Sequence, residues 1–209
     1  MDLHVHSSAS FDCVSDPEHV AARCRRLGLS PVFLTDHESI EGALQLQRLG
    51  VDRVVAGEEI MTTEGEIIGL FLEQPVRSGL SPTDAAFEIK ASGGLVYLEH
   101  PYDKHRRHLS ETGIEALADV IDIVEIFNGR SDDSANRQAE DLRSALGAAP
   151  GAGSDAHSLG EIGSVYVEME DFVGAEDFLA KLRRSKVVKH RHQLLLTAEA
   201  LLRHTMRGR

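Results

Sequence analysis

The feature that most constrains the fold is how the short apolar runs of this chain end. Leu3–Val5, Pro31–Leu34, Val54–Ala56, Leu95–Leu98, Ile121–Ile126 and Ala149–Gly153 each read as a buried strand, and each meets ionisable or amide residues. His4 and His6 mark the first. Thr35-Asp36-His37, Gly57-Glu58-Glu59, Glu99-His100-Pro101, Glu125 to Asn128 and Ser154-Asp155-Ala156-His157 mark the others. Ile67–Leu72 and Val165–Glu168 read as further strands. Helices fill most gaps. Asp16-Pro17 opens the first, with Pro at its first position, Val20, Ala21, Cys24 and Leu27 as its apolar stripe, and Gly28 as its stop. Ser81-Pro82 opens another, which carries Ala85, Ala86 and Ile89 to Gly93-Gly94. The patterns at 39–49, 114–119, 132–146, 174–185 and 194–206 are also helical. Such alternation builds a mainly parallel sheet. Seven or eight strands in 209 residues favour a small closed βα barrel over an open doubly wound sheet. In a barrel the strand C-termini share one face, where sites form.

One His or Asp after a strand is ordinarily a turn residue or a helix cap. Six such endings on one face are another matter, because desolvating that many ionisable groups is costly unless cations compensate. Imidazole and carboxylate without thiolate suit Zn, Mn or Fe in a catalytic site. His4 and His6, two apart on a strand, point the same way and can bite one metal. Composition agrees: 34 Asp and Glu stand against 22 Lys and Arg, with 11 His. The charge is uneven. Residues 183–209 hold eight Lys/Arg and one acid, so 14 Lys/Arg and 33 acids remain in the other 182 residues, a net of −19 there. That body argues against a general polyanion-binding face. An apolar fraction of 42% excludes a disordered chain. No apolar run nears the ~18 residues of a membrane span, and no charged leader precedes an apolar core, so a cytoplasmic protein is expected. Cys13 and Cys24 read as free buried thiols. The expected organisation is a barrel over 1–182 with a basic C-terminal extension, 183–209, packed on it.

The motifs also carry a resemblance. Asp2-Leu3-His4-Val5-His6-Ser7, then Ser10 and Asp12, Thr35-Asp36-His37, Gly57-Glu58-Glu59, His100-Pro101, Glu125-x-x-Asn128 and Gly153-Ser154-Asp155-Ala156-His157 resemble, in order, the polymerase and histidinol phosphatase (PHP) domain family. The resemblance runs from residue 2 to about residue 168. It implies an α/β fold, a distorted (β/α)7 TIM-like barrel, with two or three divalent metal ions at the strand C-termini and phosphoester hydrolysis as the activity. It implies His4, His6 and Asp155 at a first metal, Glu59 as a bridging carboxylate, His100 at a second, and Asp12, His37 and His157 at a third. The chain departs from the family pattern once. Where many members carry a His on the strand after the bridging Glu, this chain has Glu66, expected to replace it as a ligand for a hard metal.

Metal-activated water would be the nucleophile, with Glu59 fixing the metal pair. His157 or Asp36 is expected to supply the leaving-group proton, and Asp36 alternatively orients a His ligand from outside. Arg106, Arg107, Arg130 and Asn128 are expected to grip phosphate, since a guanidinium offers it two hydrogen bonds. His105 and His108 read as loop residues, and His19, His190, His192 and His204 as non-ligands. The expected substrate is a small phosphomonoester or phosphodiester, such as a nucleotide, metabolite or short oligonucleotide. No membrane and no stable nucleic-acid partner are expected. Three other readings stay open at this level. An oligonucleotide exonuclease needs the basic segment at the site. An amidohydrolase-type C–N hydrolase releases ammonia, not phosphate. A non-enzymatic metal-bound scaffold would show no turnover.

Overall fold

The computed structural model describes residues 1–190. A six-stranded sheet curls through β1 (Val32–His37), β2 (Val54–Thr62), β3 (Gly65–Leu70), β4 (Leu95–Leu98), β5 (Ile123–Asn128) and β6 (Ala149–Gly153), neighbours in that order. Residues 3–6 lie between its two edge strands. Leu3 N donates to Ala152 O at 3.3 Å and His6 N to Ala156 O at 3.0 Å, while Thr35 N of β1 donates to Val5 O at 2.9 Å. The expected strand Leu3–Val5 is thus present as a hydrogen-bonded segment with a single parallel bridge, Val5 to Ala156.

Strand polarity alternates along each element. Phe33, Val55, Ile68, Leu70, Leu95, Tyr97 and Ile123 share one apolar cluster, and Leu34, Ala56, Ile60, Ile67, Val96, Leu98 and Val124 share another. This is the two-residue period of a sheet with both faces covered. The inner face is apolar at one level and polar at the next, so Glu59, Glu66, Glu99 and Glu125 stand above an apolar floor. The second cluster lies beneath helices α1 (Pro17–Leu27), α2 (Glu41–Arg48), α3 (Pro82–Ala91), α4 (Glu111–Leu117) and α5 (Asp133–Leu146). The caps explain the boundaries. Asp16 accepts from Glu18 N, Ser81 from Asp84 N, and Asp132 from Ser134 N and Ala135 N, while Gly28 and Gly147 close their helices in the left-handed conformation.

Two features differ from the expected parallel barrel. First, β3 runs antiparallel to both β2 and β4. Only Thr63 and Glu64 separate β2 from β3, too few for a crossover helix. Gly65 closes that hairpin at φ 126°, where a Cβ would sit 2.3 Å from His108 O. Second, the basic segment starts with a strand, β8 (Lys186–Lys189), paired antiparallel with β7 (Val165–Glu168). Helix α6 (Gly174–Leu182) connects them and buries Phe178 and Leu182. The helix expected at 194–206 lies outside the described residues, as do His192 and His204. No helix among the described residues is long and apolar enough to cross a membrane.

Candidate metal centre

Three groups of ligand atoms meet above the apolar floor, all through or beside Glu59. In the first, His4 Nε2 and His6 Nε2 each lie 3.2 Å from Glu59 Oε2, with Asp155 Oδ1 at 3.8 and 3.6 Å from the same two nitrogens. In the second, His100 Nε2 lies 3.2 Å from the other oxygen, Glu59 Oε1. Glu99 joins this group, and Glu66 faces Glu59 and His37, with its Oε1 3.8 Å from His37 Nδ1. In the third, Asp12 Oδ2 lies 3.1 Å from His157 Nε2 and 3.5 Å from His37 Nε2, with His6 adjoining.

Local structure explains each placement. His37, Glu59 and Glu99 lie at or near the ends of β1, β2 and β4, on the inner-face parity. Glu66 reaches the same face from the start of its strand, because an antiparallel strand presents its N-terminal end there. Glu125 and Asn128 are three residues apart, which ordinarily puts side chains on opposite faces. A register shift between Glu125 and Phe127 inserts one residue and turns both inward. Gly153 permits the closest approach: a Cβ there would sit 2.3 Å from His4 Cβ and 2.6 Å from its backbone N. His100 and Asp155 hold φ values of 30° and 54°, unfavourable for residues with a Cβ and common where function demands a particular aim.

The outer nitrogens of the first pair are engaged. His4 Nδ1 lies 3.1 Å from Glu125 Oε1. Glu125 in turn accepts from Tyr97 Oη at 3.0 Å, His100 N at 3.0 Å and Asn128 Nδ2 at 2.9 Å. His6 Nδ1 lies 3.1 Å from Ser10 Oγ, which donates to Asp36 Oδ1 at 3.0 Å. Asp36 also accepts from Ser7 N and Ser7 Oγ. A proton on each Nδ1 leaves each Nε2 with a lone pair facing inward. His6 Nε2, His100 Nδ1 and Glu99 Oε1 are buried without a hydrogen-bond partner.

This donor set fits divalent metals. Lone pairs of two imidazoles and two carboxylates converge on one point and repel unless positive charge sits among them. Without a metal, protons supply that charge. Burial opposes charging His6, but the Asp155 and Glu59 carboxylates beside its Nε2 outweigh it and raise its pKa to about 9. Burial likewise disfavours the Glu59 and Asp155 carboxylates, yet the surrounding His side chains hold both well below the usual carboxylate range. Glu66 goes the other way. Burial first, and then the Glu59 charge, push it up to about 7.

The remaining expected site residues separate into two sets. Arg106 reaches Asp155 Oδ2 at 2.8 Å, and Arg130 reaches His157 Nδ1 at 2.6 Å, so both guanidinium groups stand at the mouth. Arg107 lies outside, its Nη1 4.0 Å from Met61 Sδ. Asn128 is buried against Glu125 and Asp155, and Asp36 is buried against the Ser7–Ser10 turn. Neither opens on the mouth. His105 and His108 stay on their loop, with His108 Nδ1 2.8 Å from Asp103 O. Sequence reasoning assigned no role to Glu99, Glu125 or Tyr97. The signal for Glu99 was its parity with Leu95 and Tyr97.

Comparison with known proteins places the chain. Residues 2–75 match the PHP domain model, and residues 133–187 match the PHP-associated model. Two uncharacterized proteins of Methanocaldococcus jannaschii are similar. One is 38% identical over 142 residues, 61% of this chain and 80% of that protein; the other is 30% identical over 210 residues, 93% and 84%. The chain belongs to the PHP family. Three solved structures share its fold. A two-domain Bacteroides vulgatus protein containing a predicted PHP-like metal-dependent phosphoesterase aligns with TM-score 0.73 and 19% identity, over 90% of this chain and 64% of that one. PsfC from Pseudomonas syringae aligns with TM-score 0.72 and 15% identity, over 98% and 97%. The lesion-specific endonuclease Q from Pyrococcus furiosus aligns with TM-score 0.65 and 15% identity, over 89% and 56%.

Proposed function

We propose that this protein hydrolyses small phosphate esters using two or three divalent metal ions, Zn, Mn or Fe. In this reading residues 3–6 serve as the closing strand of a (β/α)7 barrel, and the body is the 1–182 unit with the basic 183–209 segment appended. The observation that carries the proposal is the division of Glu59, with Oε2 facing His4 and His6 and Oε1 facing His100. One carboxylate with imidazoles on both sides is the arrangement a bridged metal pair requires. Bound there, the metals supply an activated water and Lewis-acid neutralisation of the phosphoryl oxygens.

The chain's own residues do the rest. His4, His6 and Asp155 hold the first position, Glu59 the bridge, His100 and Glu66 the second, and Asp12, His37 and His157 the third. Glu125 and the Asp36–Ser10 pair aim the first two imidazoles, so Asp36 acts as a positioning residue. Arg106 and Arg130 stand where a phosphoryl group would enter, each now paired with a carboxylate or imidazole of the site, and each could turn to the substrate anion. Asn128 contributes by holding Asp155. Where the third position is empty, His157, partly exposed at the mouth, is the imidazole placed to protonate a leaving oxygen. Phe11, 84% exposed, stacks on His37 with centroids 5.0 Å apart. This ring gives an aromatic leaving group or nucleobase a surface beside the metals.

The test is release of phosphate or p-nitrophenol from p-nitrophenyl phosphate and bis-p-nitrophenyl phosphate with Mn2+ or Zn2+ added. Glu59→Gln keeps the side-chain volume and removes the bridging charge. A loss in kcat/KM of at least about 100-fold is expected. Wild-type turnover in that variant would falsify the reading. Ammonia release from amides with no phosphoester turnover would favour the C–N hydrolase instead.

A further inference from the structure

We propose that Glu99 is an additional ligand of the second metal position, which makes that position a carboxylate-rich seat selective for a hard, oxygen-preferring dication such as Mn2+ or Mg2+. The inference rests on the metal-dependent reading above and concerns which ion each position takes.

Glu99 is fully buried. One oxygen, Oε2, accepts from Ile68 N at 3.0 Å, while Oε1 has no hydrogen-bond partner. Glu99 offers a carboxylate oxygen to a group with a Glu59 oxygen and a His100 nitrogen whose ligand atoms are all within 4.8 Å of one another. A buried carboxylate oxygen without a partner is expensive, and native sites rarely leave one so without a reason. The neighbouring cations are engaged elsewhere. Arg106 is paired with Asp155 at 2.8 Å, and Arg107 is turned outward beside Met61. Glu66, 6% exposed, adds a third carboxylate next to Glu59. Glu59 and Glu99 therefore face this position with His100 as its imidazole, and Glu66 stands on the neighbouring side of Glu59 beside His37.

The first position is different in kind. It has His4 and His6 set against Glu59 and Asp155, with Arg106 already offsetting part of the Asp155 charge. Oxygen-rich sites suit Mg2+ and Mn2+, whereas imidazole raises the preference for Zn2+ and its neighbours. The same Glu59 thus joins two seats of unlike softness, and the protein is expected to hold a mixed pair.

The test reads metal content and affinity, independent of turnover. The full-length protein, stripped with a chelator, is titrated with Mn2+ and separately with Zn2+ by calorimetry. Occupancy is counted by elemental analysis after loading with both ions, and bound Mn2+ is observed by electron paramagnetic resonance. Wild type should take both ions together. Glu99→Gln, which keeps an acceptor for Ile68 N, should weaken Mn2+ binding by at least about 10-fold while Zn2+ occupancy at the first position persists. Glu66→His should shift the second seat from Mn2+ toward Zn2+. Should Glu99→Gln fail to fold by circular dichroism, Glu99→Asp withdraws the oxygen by one methylene and should show the same Mn2+ loss. Wild-type Mn2+ affinity in a folded Glu99 variant overturns this inference and leaves the phosphoesterase reading intact. Two Zn2+ bound with no Mn2+ preference also overturns it. Absence of any dication binding in wild type overturns both readings.

Discussion

At the residue scale, the site is built by side chains of unequal legibility. His4, His6, His37, His100 and His157 were readable because each lies in or shortly after an apolar run predicted as a strand. Glu99 and Glu125 were not, because an acid at a strand end looks the same whether it points to solvent or inward. Burial separates the cases, and burial follows from strand parity only once the sheet is known. Asp36 shows the converse. Its place in Thr35-Asp36-His37 marked it for the site, yet it stands on the opposite parity from His37 and turns to the Ser7–Ser10 loop. Phe11 has no core role to confuse its reading. Phe11→Ala should raise KM several-fold for aryl phosphates and nucleotides, with kcat nearly unchanged and alkyl phosphates unaffected, as loss of about 1 kcal/mol of ring contact predicts. Equal losses on aryl and alkyl substrates would show that the ring serves His37 and not the substrate.

At the element scale, helix boundaries were the best-read features, since caps are local chemistry. Asp16-Pro17 and Gly28 bracket α1, as expected. Strand directions were not legible. A six-residue apolar run reads the same parallel or antiparallel, so the reversal of β3 depended on the two-residue hairpin before it. β2 continues to Thr62, well past the expected end at Ala56, because Glu58 and Glu59 interrupt the apolar pattern while both are buried. β8 was hidden by its flanking lysines. The packing of α1 makes a testable statement about Cys24. Burial pushes this thiol from its ordinary value near 9 up to about 12. The folded state therefore keeps it neutral while the unfolded chain ionises, and the resulting stability, full below pH 9, is lost as pH climbs toward 12. Between pH 8 and 10 the urea midpoint of Cys24→Ala should fall less than that of wild type, by the equivalent of about 1 kcal/mol. A parallel fall in both would show that Cys24 contributes nothing to alkaline unfolding.

At the scale of the whole molecule, the acidic excess takes on a new meaning. Five histidines and at least five carboxylates crowd one end of a curled sheet, so the folded state concentrates repulsion that the unfolded chain disperses. Ions that bind only the folded state offset this by mass action, about 2.7 kcal/mol at 100 times Kd for one site. Thermal unfolding should therefore move up by about 5–11 °C on loading with Mn2+ or Zn2+ and return with chelator. A melting temperature indifferent to both treatments would mean that protons alone balance the cluster. The wedge of residues 3–6 between β6 and β1 also sets an order of events. His4 precedes Asp155 by 151 residues. At translation rates of about 5–20 residues per second, the first two imidazoles leave the ribosome roughly 8–30 s before the last ligands exist. In the metal-dependent reading proposed above, His4 and His6 would stand through that interval as an incomplete chelate open to any soft ion in the cell. In that reading, correct metallation would depend on β6 and the Asp155–His157 turn arriving to exchange or evict whatever the nascent chain has picked up.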